Sequence, residues 1–313
     1  MARKASMTQA QRCHRRFTGA VRMAALAALL ACSGMAAAGA ATGVVYPQPE
    51  VALDSRYHYD WEVLRAALQK TERRFGPFTM RASGASMSPA RVTEELLIPD
   101  GRINLLVRAT SRELERQFLP IRIPVDRGLL GYRIFIVRAD DLARFAGTRT
   151  LADLRRLRAG QGKDWADIAI LEAAGLPVVA GSSYDGLFPM LKAGRFDYFS
   201  RAADEALREY DERHADLPEL TVEPTLMLHY PLPRYFFVRR DAEGMRLAAR
   251  IEAGLETMLR DGSLLALFQH YKGPLIERAG LRQRRLLRIP NPSLPPQTPL
   301  ARRELWYDPF QGK

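Results

Sequence analysis

Across residues 44–268, short runs of β-branched and aromatic side chains alternate with longer stretches that carry one apolar face. This alternation restricts the chain to α/β folds with largely parallel sheets, because each helix must return the chain before the next strand can pair. Strands are predicted over residues 44–46, 78–80, 103–107, 131–137, 177–179, 196–200, 220–222 and 235–238. A helix opening near Asp54 carries Trp61, Leu64 and Leu68 on one face and stops at Gly76-Pro77, and a second is predicted over 89–97. Further helices are predicted over 150–157, from an Asp164 N-cap beyond Gly160-Gln161-Gly162 to Gly175, and from an Asp185 cap to Gly194 with Pro189 in the first turn. An acidic helix over 204–216 comes next. Leu247, Ile251, Leu255 and Met258 fall on one face of another helix, closed by Asp261-Gly262, and Ser263 opens the next. Between Arg288 and Leu300 five prolines (Pro290, Pro292, Pro295, Pro296, Pro299) exclude regular structure, so this tail is expected to lie along the surface with Leu305, Trp306 and Tyr307 docking its end.

The N-terminus reads as an address. Arg3, Lys4, Arg12, Arg15, Arg16 and Arg22 precede an Ala-rich apolar run and then small residues, the layout of a secretory signal peptide over residues 1–40. Cleavage near Ala38-Gly39-Ala40 would start the mature chain close to Ala41 and place it in the periplasm. The alternative is a lipobox at Leu29-Leu30-Ala31-Cys32, with Cys32 lipidated. Both cysteines, Cys13 and Cys32, lie in this segment, so neither a disulfide framework nor a thiol nucleophile is available afterwards. The segment also holds six of the 47 basic residues and none of the 35 acidic ones. The balance of 41 against 35 in the rest of the chain is too mild for a nucleic-acid footprint.

Catalytic and cofactor signatures are missing. The five histidines (His14, His58, His214, His229, His270) make no metal-ligand spacing, and Gly160-x-Gly162 lacks the third glycine of a dinucleotide fingerprint. Gly181-Ser182-Ser183-Tyr184-Asp185 carries Asp185 where a nucleophile elbow needs glycine. No cofactor, metal or enzymatic activity is expected.

Three stretches resemble one family in order. Thr110-Ser111-Arg112-Glu113 with Leu119-Pro120-Ile121-Arg122-Ile123-Pro124 is similar to the Thr-x-x-Arg plus Phe-Ser-x-Pro-Tyr region of bacterial extracytoplasmic solute-binding proteins of family 3, the type 2 periplasmic binding proteins. Gly194-Arg195-Phe196-Asp197-Tyr198 resembles their Gly-x-x-Asp-Ala stretch. Leu259-Arg260-Asp261-Gly262-Ser263 and Phe268-Gln269-His270-Tyr271 resemble their Leu-x-x-Asp-Gly helix end and the helix after it. The departures, chiefly Arg201-Ala202 where the family carries a ligand-binding carboxylate, mark a divergent subfamily and argue against an ordinary α-amino-acid ligand.

The resemblance implies a two-lobe α/β fold joined by two crossover strands: 42–130 in lobe 1, 131–239 in lobe 2, 240–288 as C-terminal helices of lobe 1, and 289–313 as the tail. It implies a monomer that captures a small metabolite for an ABC-type importer. The alternatives are a ligand-sensing module for a membrane signalling partner, and a periplasmic dehydratase-like enzyme on the same fold.

Ligands of open α/β folds sit beyond the C-terminal ends of strands, where helix N-termini offer unpaired N–H groups. The candidate ligand residues are therefore Tyr46, Thr110, Ser111, Arg112 or Arg116, Trp165, Tyr184 and Arg201. An arginine from each lobe would favour an anionic ligand, held by paired guanidinium bonds. Each residue has a plainer reading beside this one. Arg112 and Arg116 also suit a solvated helix face, Trp165 a core, and Ser183 and Tyr184 a simple cap. Tyr46 could cover Pro47, and Arg201 could point outward to Asp204 or Glu205.

Overall fold

The computed structural model describes residues 41–48 and 57–311; the leader reading falls outside them. The first half of lobe 1 contains β1 (Thr42–Gln48), α1 (His58–Lys70), β2 (Phe78–Ser86), α2 (Pro89–Leu97), β3 (Leu105–Ala109), α3 (Arg112–Gln117) and β4 (Leu119–Ile121). The second lobe contains β5 (Tyr132–Arg138), β6 (Ala159–Gly162), α4 (Asp167–Ala173), β7 (Val178–Gly181), α5 (Tyr184–Lys192), β8 (Tyr198–Ala202), α6 (Ala203–Arg213), β9 (Leu220–Val222) and β10 (Leu226–His229). The chain then returns through β11 (Arg234–Val238), α7 (Ala242–Arg260) and α8 (Ser263–Ala279), and ends with β12 (Arg285–Arg288) and the tail.

In the first lobe β1 and β2 pair in parallel, while β11 lies between β3 and β4, antiparallel to both. Asn104 joins the two sheets. Its backbone N–H donates to Val45 O at 3.0 Å, its Oδ1 accepts from Val45 N at 2.9 Å, and its Nδ2 donates to Gly43 O at 2.8 Å. A side chain thus supplies bonds that a continuous ladder would make. Val63, Leu64, Ala67 and Leu68 form the buried stripe of α1 and pack with Ile251, Leu255 and Met258 of α7. The helices cross closely at Gly254, where a Cβ would lie 2.1 Å from Ala67 O.

The larger sheet has the order β12-β10-β5-β8-β6-β7, with β9 also on β5. Tyr132 through Val137 are all buried, as expected of a strand covered on both faces. Along β8, Phe199 joins the core that contains Phe188, whereas Tyr198 and Ala202 join the core that contains Ile170 and Leu171.

Two crossings connect the lobes and lie side by side: Val125 N–H donates to Arg234 O at 2.9 Å, and Tyr230 N–H donates to Gly131 O at 3.2 Å. The outgoing crossing turns at Arg127 and Gly128, both with positive φ (53° and 75°). Asp126 fixes this turn, accepting from Gly128 N at 3.1 Å and Leu130 N at 2.9 Å.

The tail covers the crossings. Asn291 Nδ2 donates to Pro231 O at 2.8 Å, and Arg302 forms a two-pronged pair with Glu256 at 2.7 and 3.2 Å. Leu305 is buried, and the Trp306 ring stands over Gly128. Tyr307 N–H donates to Arg127 O at 2.7 Å, and Arg127 Nη2 donates to Glu304 O at 3.2 Å.

Several sequence expectations need correction. Residues 285–288 are a strand beside β10, not part of the first-lobe helices, and residues 234–238 pair within the first lobe, so the chain crosses back earlier than residue 239. Apolar runs such as Tyr235-Phe236-Phe237 predict a strand without saying which sheet receives it. Gly160-Gln161-Gly162 belongs to β6, because parallel pairing with β7 and β8 fixes its backbone, and α4 starts at Asp167 without an Asp164 cap. Ser183, not Asp185, caps α5, and Pro189 lies inside that helix.

Candidate functional site between the lobes

The junction of the lobes is charged and buried. Asp60 lies in the first turn of α1 and Glu205 in the first turn of α6, one from each lobe. Arg234, at the start of β11, donates through Nη1 to Asp60 Oδ2 at 3.1 Å and through Nη2 to Glu205 Oε1 at 3.0 Å. Burial raises the Asp60 pKa above the ordinary value, although Arg234 and Lys272 pull the other way. Burial also pushes on Glu205, but Arg201, Arg234 and Arg133 outweigh it and hold that carboxyl well below the usual range. The arginines therefore keep Glu205 charged in a place that water does not reach.

Arg201 on β8 has 3% of its surface exposed. Its Nε donates to Glu209 Oε2 at 2.8 Å and its Nη2 to Glu209 Oε1 at 2.6 Å, with Glu205 Oε2 at 3.1 Å. The guanidinium carbon lies 4.6 Å from the Trp165 ring centre, 5.1 Å from that of Phe199 and 5.8 Å from that of Tyr184. Burial alone would lower its pKa, but Glu205 and Glu209 raise it above the ordinary value. Trp165 is seated on Gly162, where a Cβ would meet the indole at 2.6 Å. A second buried set lies nearby: Arg133 pairs with Asp167, and its Nε donates to Tyr230 Oη at 2.9 Å. Tyr230 in turn donates to Asp167.

The first lobe contributes an aromatic wall and one differently placed cation. Tyr46 stacks on Trp61 with ring centres 4.4 Å apart, and Trp61 lies against Phe236 at 6.4 Å. Arg108 on β3 donates to Thr93 Oγ1 at 2.8 Å and to Pro89 O at 3.1 Å, both uncharged acceptors. Among the described residues no ion pair engages it. Burial lowers its pKa, opposed by Tyr57 and by Asp164 of the second lobe. Arg108 is thus a half-buried guanidinium whose charge the first lobe answers only in part.

The residues expected from sequence separate into two groups. Trp165, Tyr184 and Arg201 come together in the second lobe, and Tyr46 lies in the aromatic wall of the first. The others are engaged elsewhere. Thr110 is buried, donating through Oγ1 to Glu115 at 2.7 Å, and Ser111 caps α3 by accepting from Leu114 N at 3.1 Å. Arg112 binds the tail, its N–H on Ser293 O at 3.2 Å and its Nε on Leu294 O at 3.4 Å. Arg116 pairs with Glu113 on the helix surface, with its side chain 75% exposed. The expected clamp of Arg112 or Arg116 with Arg201 is not formed, because α3 spends its arginines on the tail and on solvent. Arg201 does pair with Glu205, but inward and together with Glu209. Sequence reasoning missed Asp60, Arg108, Arg234 and Glu209. For Glu209 a signal existed: Arg201, Glu205 and Glu209 recur every fourth residue.

No known family pattern and no curated protein sequence matches the chain. Solved structures do. An ancestral arginine-binding protein bound to glutamine matches with a TM-score of 0.53 and 16% identity, covering 75% of this chain and 99% of its own. A Salmonella typhimurium periplasmic binding protein of high arginine specificity gives 0.52 and 14%, over 74% and 99%. A histidine kinase sensor domain with similarity to periplasmic binding proteins gives 0.51 and 19%, over 74% and 96%. Among the described residues no helix is long and apolar enough to cross a membrane. At these identities the likeness establishes architecture: the chain has the two-lobe α/β fold of the type 2 periplasmic binding proteins.

Proposed function

We propose that this chain is an exported solute-binding protein whose lobes close on a small acidic metabolite and deliver it to an ABC-type importer. The observation that carries the reading is Arg108. It is a half-buried guanidinium at the C-terminal end of a strand, hydrogen-bonded to uncharged acceptors, with Asp164 of the second lobe acting on its charge. An acid group on the ligand would complete its bonds, while Tyr46 and Trp61 offer an aromatic floor and Trp165 a wall. Arg201 plays no part in holding the anion, since two carboxylates already answer its charge. A dehydratase-like activity is disfavoured because Asp167, Glu205 and Glu209 are all ion-paired, and Asp60, although its pKa is raised, is held by Arg234. The sensing alternative draws support from the likeness to a histidine kinase sensor domain.

Thermal-shift screening of small acids, amines and neutral solutes tests the reading, with native mass spectrometry of freshly purified protein to catch a bound molecule. An acid is expected to stabilise the protein, and Arg108→Gln to weaken its binding by roughly 10- to 100-fold, the worth of a charge-assisted hydrogen bond. Stabilisation only by neutral or cationic solutes, or unchanged affinity in Arg108→Gln, would overturn it.

A further inference from the structure

The surroundings of Arg201 have the construction of a receptor for a free guanidinium. Glu209 meets two of its N–H groups side by side, the pairing that matches a planar fork. Glu205 supplies a second carboxylate at 3.1 Å. Trp165, Phe199 and Tyr184 present ring faces within 6 Å, the arrangement that holds cationic ligands in aromatic enclosures. Trp165 and Tyr184 are each partly exposed, so the slot lies just beneath the surface and is closed from inside by the arginine itself.

We propose that Arg201 is the resident occupant of a guanidinium-binding slot, a built-in cation that excludes guanidinium- and amine-bearing solutes from the second-lobe side of the cleft. Arg201 is on this view a specificity-determining residue. It satisfies Glu205 and Glu209, which would otherwise attract a cationic solute, and leaves the uncompensated charge of the cleft at Arg108. The consequence for ligand choice rests on the function proposed above, but the slot does not, and it is tested without the natural ligand.

The perturbation is Arg201→Ala, and the probe is ethylguanidinium, with ethylammonium and the neutral ethylurea as controls. Removing one partner from a buried ion pair should lower Tm by about 5–15 °C. About 10 mM ethylguanidinium should then raise the Tm of the variant by several degrees, through binding to the folded state alone, while moving wild type by less than about 1 °C. Ethylammonium should do less, for want of the planar fork, and ethylurea nothing. Should Arg201→Ala fail to fold, Arg201→Ala combined with Glu209→Gln keeps Glu205 and the aromatic wall with one uncompensated carboxylate fewer, and should show the same order of probes with weaker rescue. Equal response to all three probes, or no response in a folded variant, would overturn the slot. Failure of any acidic solute to bind wild type would instead count against the proposed function.

Discussion

Replacing Arg234 by methionine tests the view that one guanidinium holds the two lobes in register. Its two contacts, 3.1 Å to Asp60 and 3.0 Å to Glu205, are each worth about 5 kcal/mol in gross Coulomb energy at an effective dielectric of about 20. Most of that offsets the desolvation of three buried groups, so the measured loss should be that of breaking a buried pair, about 3–5 kcal/mol. At neutral pH this corresponds to a fall in Tm of about 6–15 °C for a chain of this size. The pH dependence identifies the cause. The folded-state pKa of Asp60 is already raised, and without Arg234 it rises further. A carboxyl with a raised folded pKa costs stability above that pKa and ceases to do so as the pH falls through it and the proton is taken up. The penalty of Arg234→Met should therefore be largest near pH 7.5 and smaller by about 1 kcal/mol or more at pH 5. Glu205 stays ionised in that window, since Arg201 and Arg133 still face it. Urea unfolding of both proteins at the two pH values gives the comparison. A loss under about 1 kcal/mol, or one that grows toward pH 5, would refute the reasoning.

Two further outcomes follow from the crossing at residues 126–128. Burial, only partly opposed by Arg234, lifts Asp126 to about 6, above its unfolded value. Its contribution to stability should then decline by about 2 kcal/mol as pH rises from 4 to 6.5, and urea midpoints across that range should fall less for Asp126→Asn than for wild type. Gly128→Ala should cost about 2–4 kcal/mol, because φ is 75° and the new Cβ would lie 2.5 Å from the Trp306 ring. In a Trp306→Ala background the same change should cost only about 1 kcal/mol of backbone strain; an unchanged cost would show that the ring contact is unimportant.

Local signals in the sequence were strong where one side chain decides the backbone. Ser88 and Pro89 start α2 as the cap and first-turn rules require, and the apolar stripe of α7 packs as its spacing predicts. Strand membership was less legible, because β6 consists of Ala-Gly-Gln-Gly and β12 of Arg-Leu-Leu-Arg, and both owe their extended form to neighbours that the local pattern does not name. The site divides along the same line. Trp165, Tyr184 and Arg201 were legible because each lies near a helix start or strand end. Asp60, Arg108 and Arg234 were not: each reads as an ordinary charged residue until the two crossings bring α1, β3 and β11 to the second lobe. The reading of Arg112 failed for a related reason, since its partners, Ser293 and Leu294, are about 180 positions away in a segment with no periodic pattern.

The tail also bears on the order in which the molecule can be assembled. Arg127 is bonded to backbone oxygens 177 and 179 residues later in the chain, so in a chain made from its N-terminus the outgoing crossing waits for nearly the whole polypeptide before its cover arrives. The first lobe waits as well, because β11, α7 and α8 follow the second lobe, whereas β5 to β10 are contiguous and their sheet needs from later sequence only the edge strand β12, although α6 also receives Lys272 of α8 on Asp204. Contacts at long sequence separation carry the larger loop-closure cost and slow folding. The second lobe is therefore positioned to consolidate first, the first lobe to close around it in sequence, and the hinge to acquire its native surroundings last.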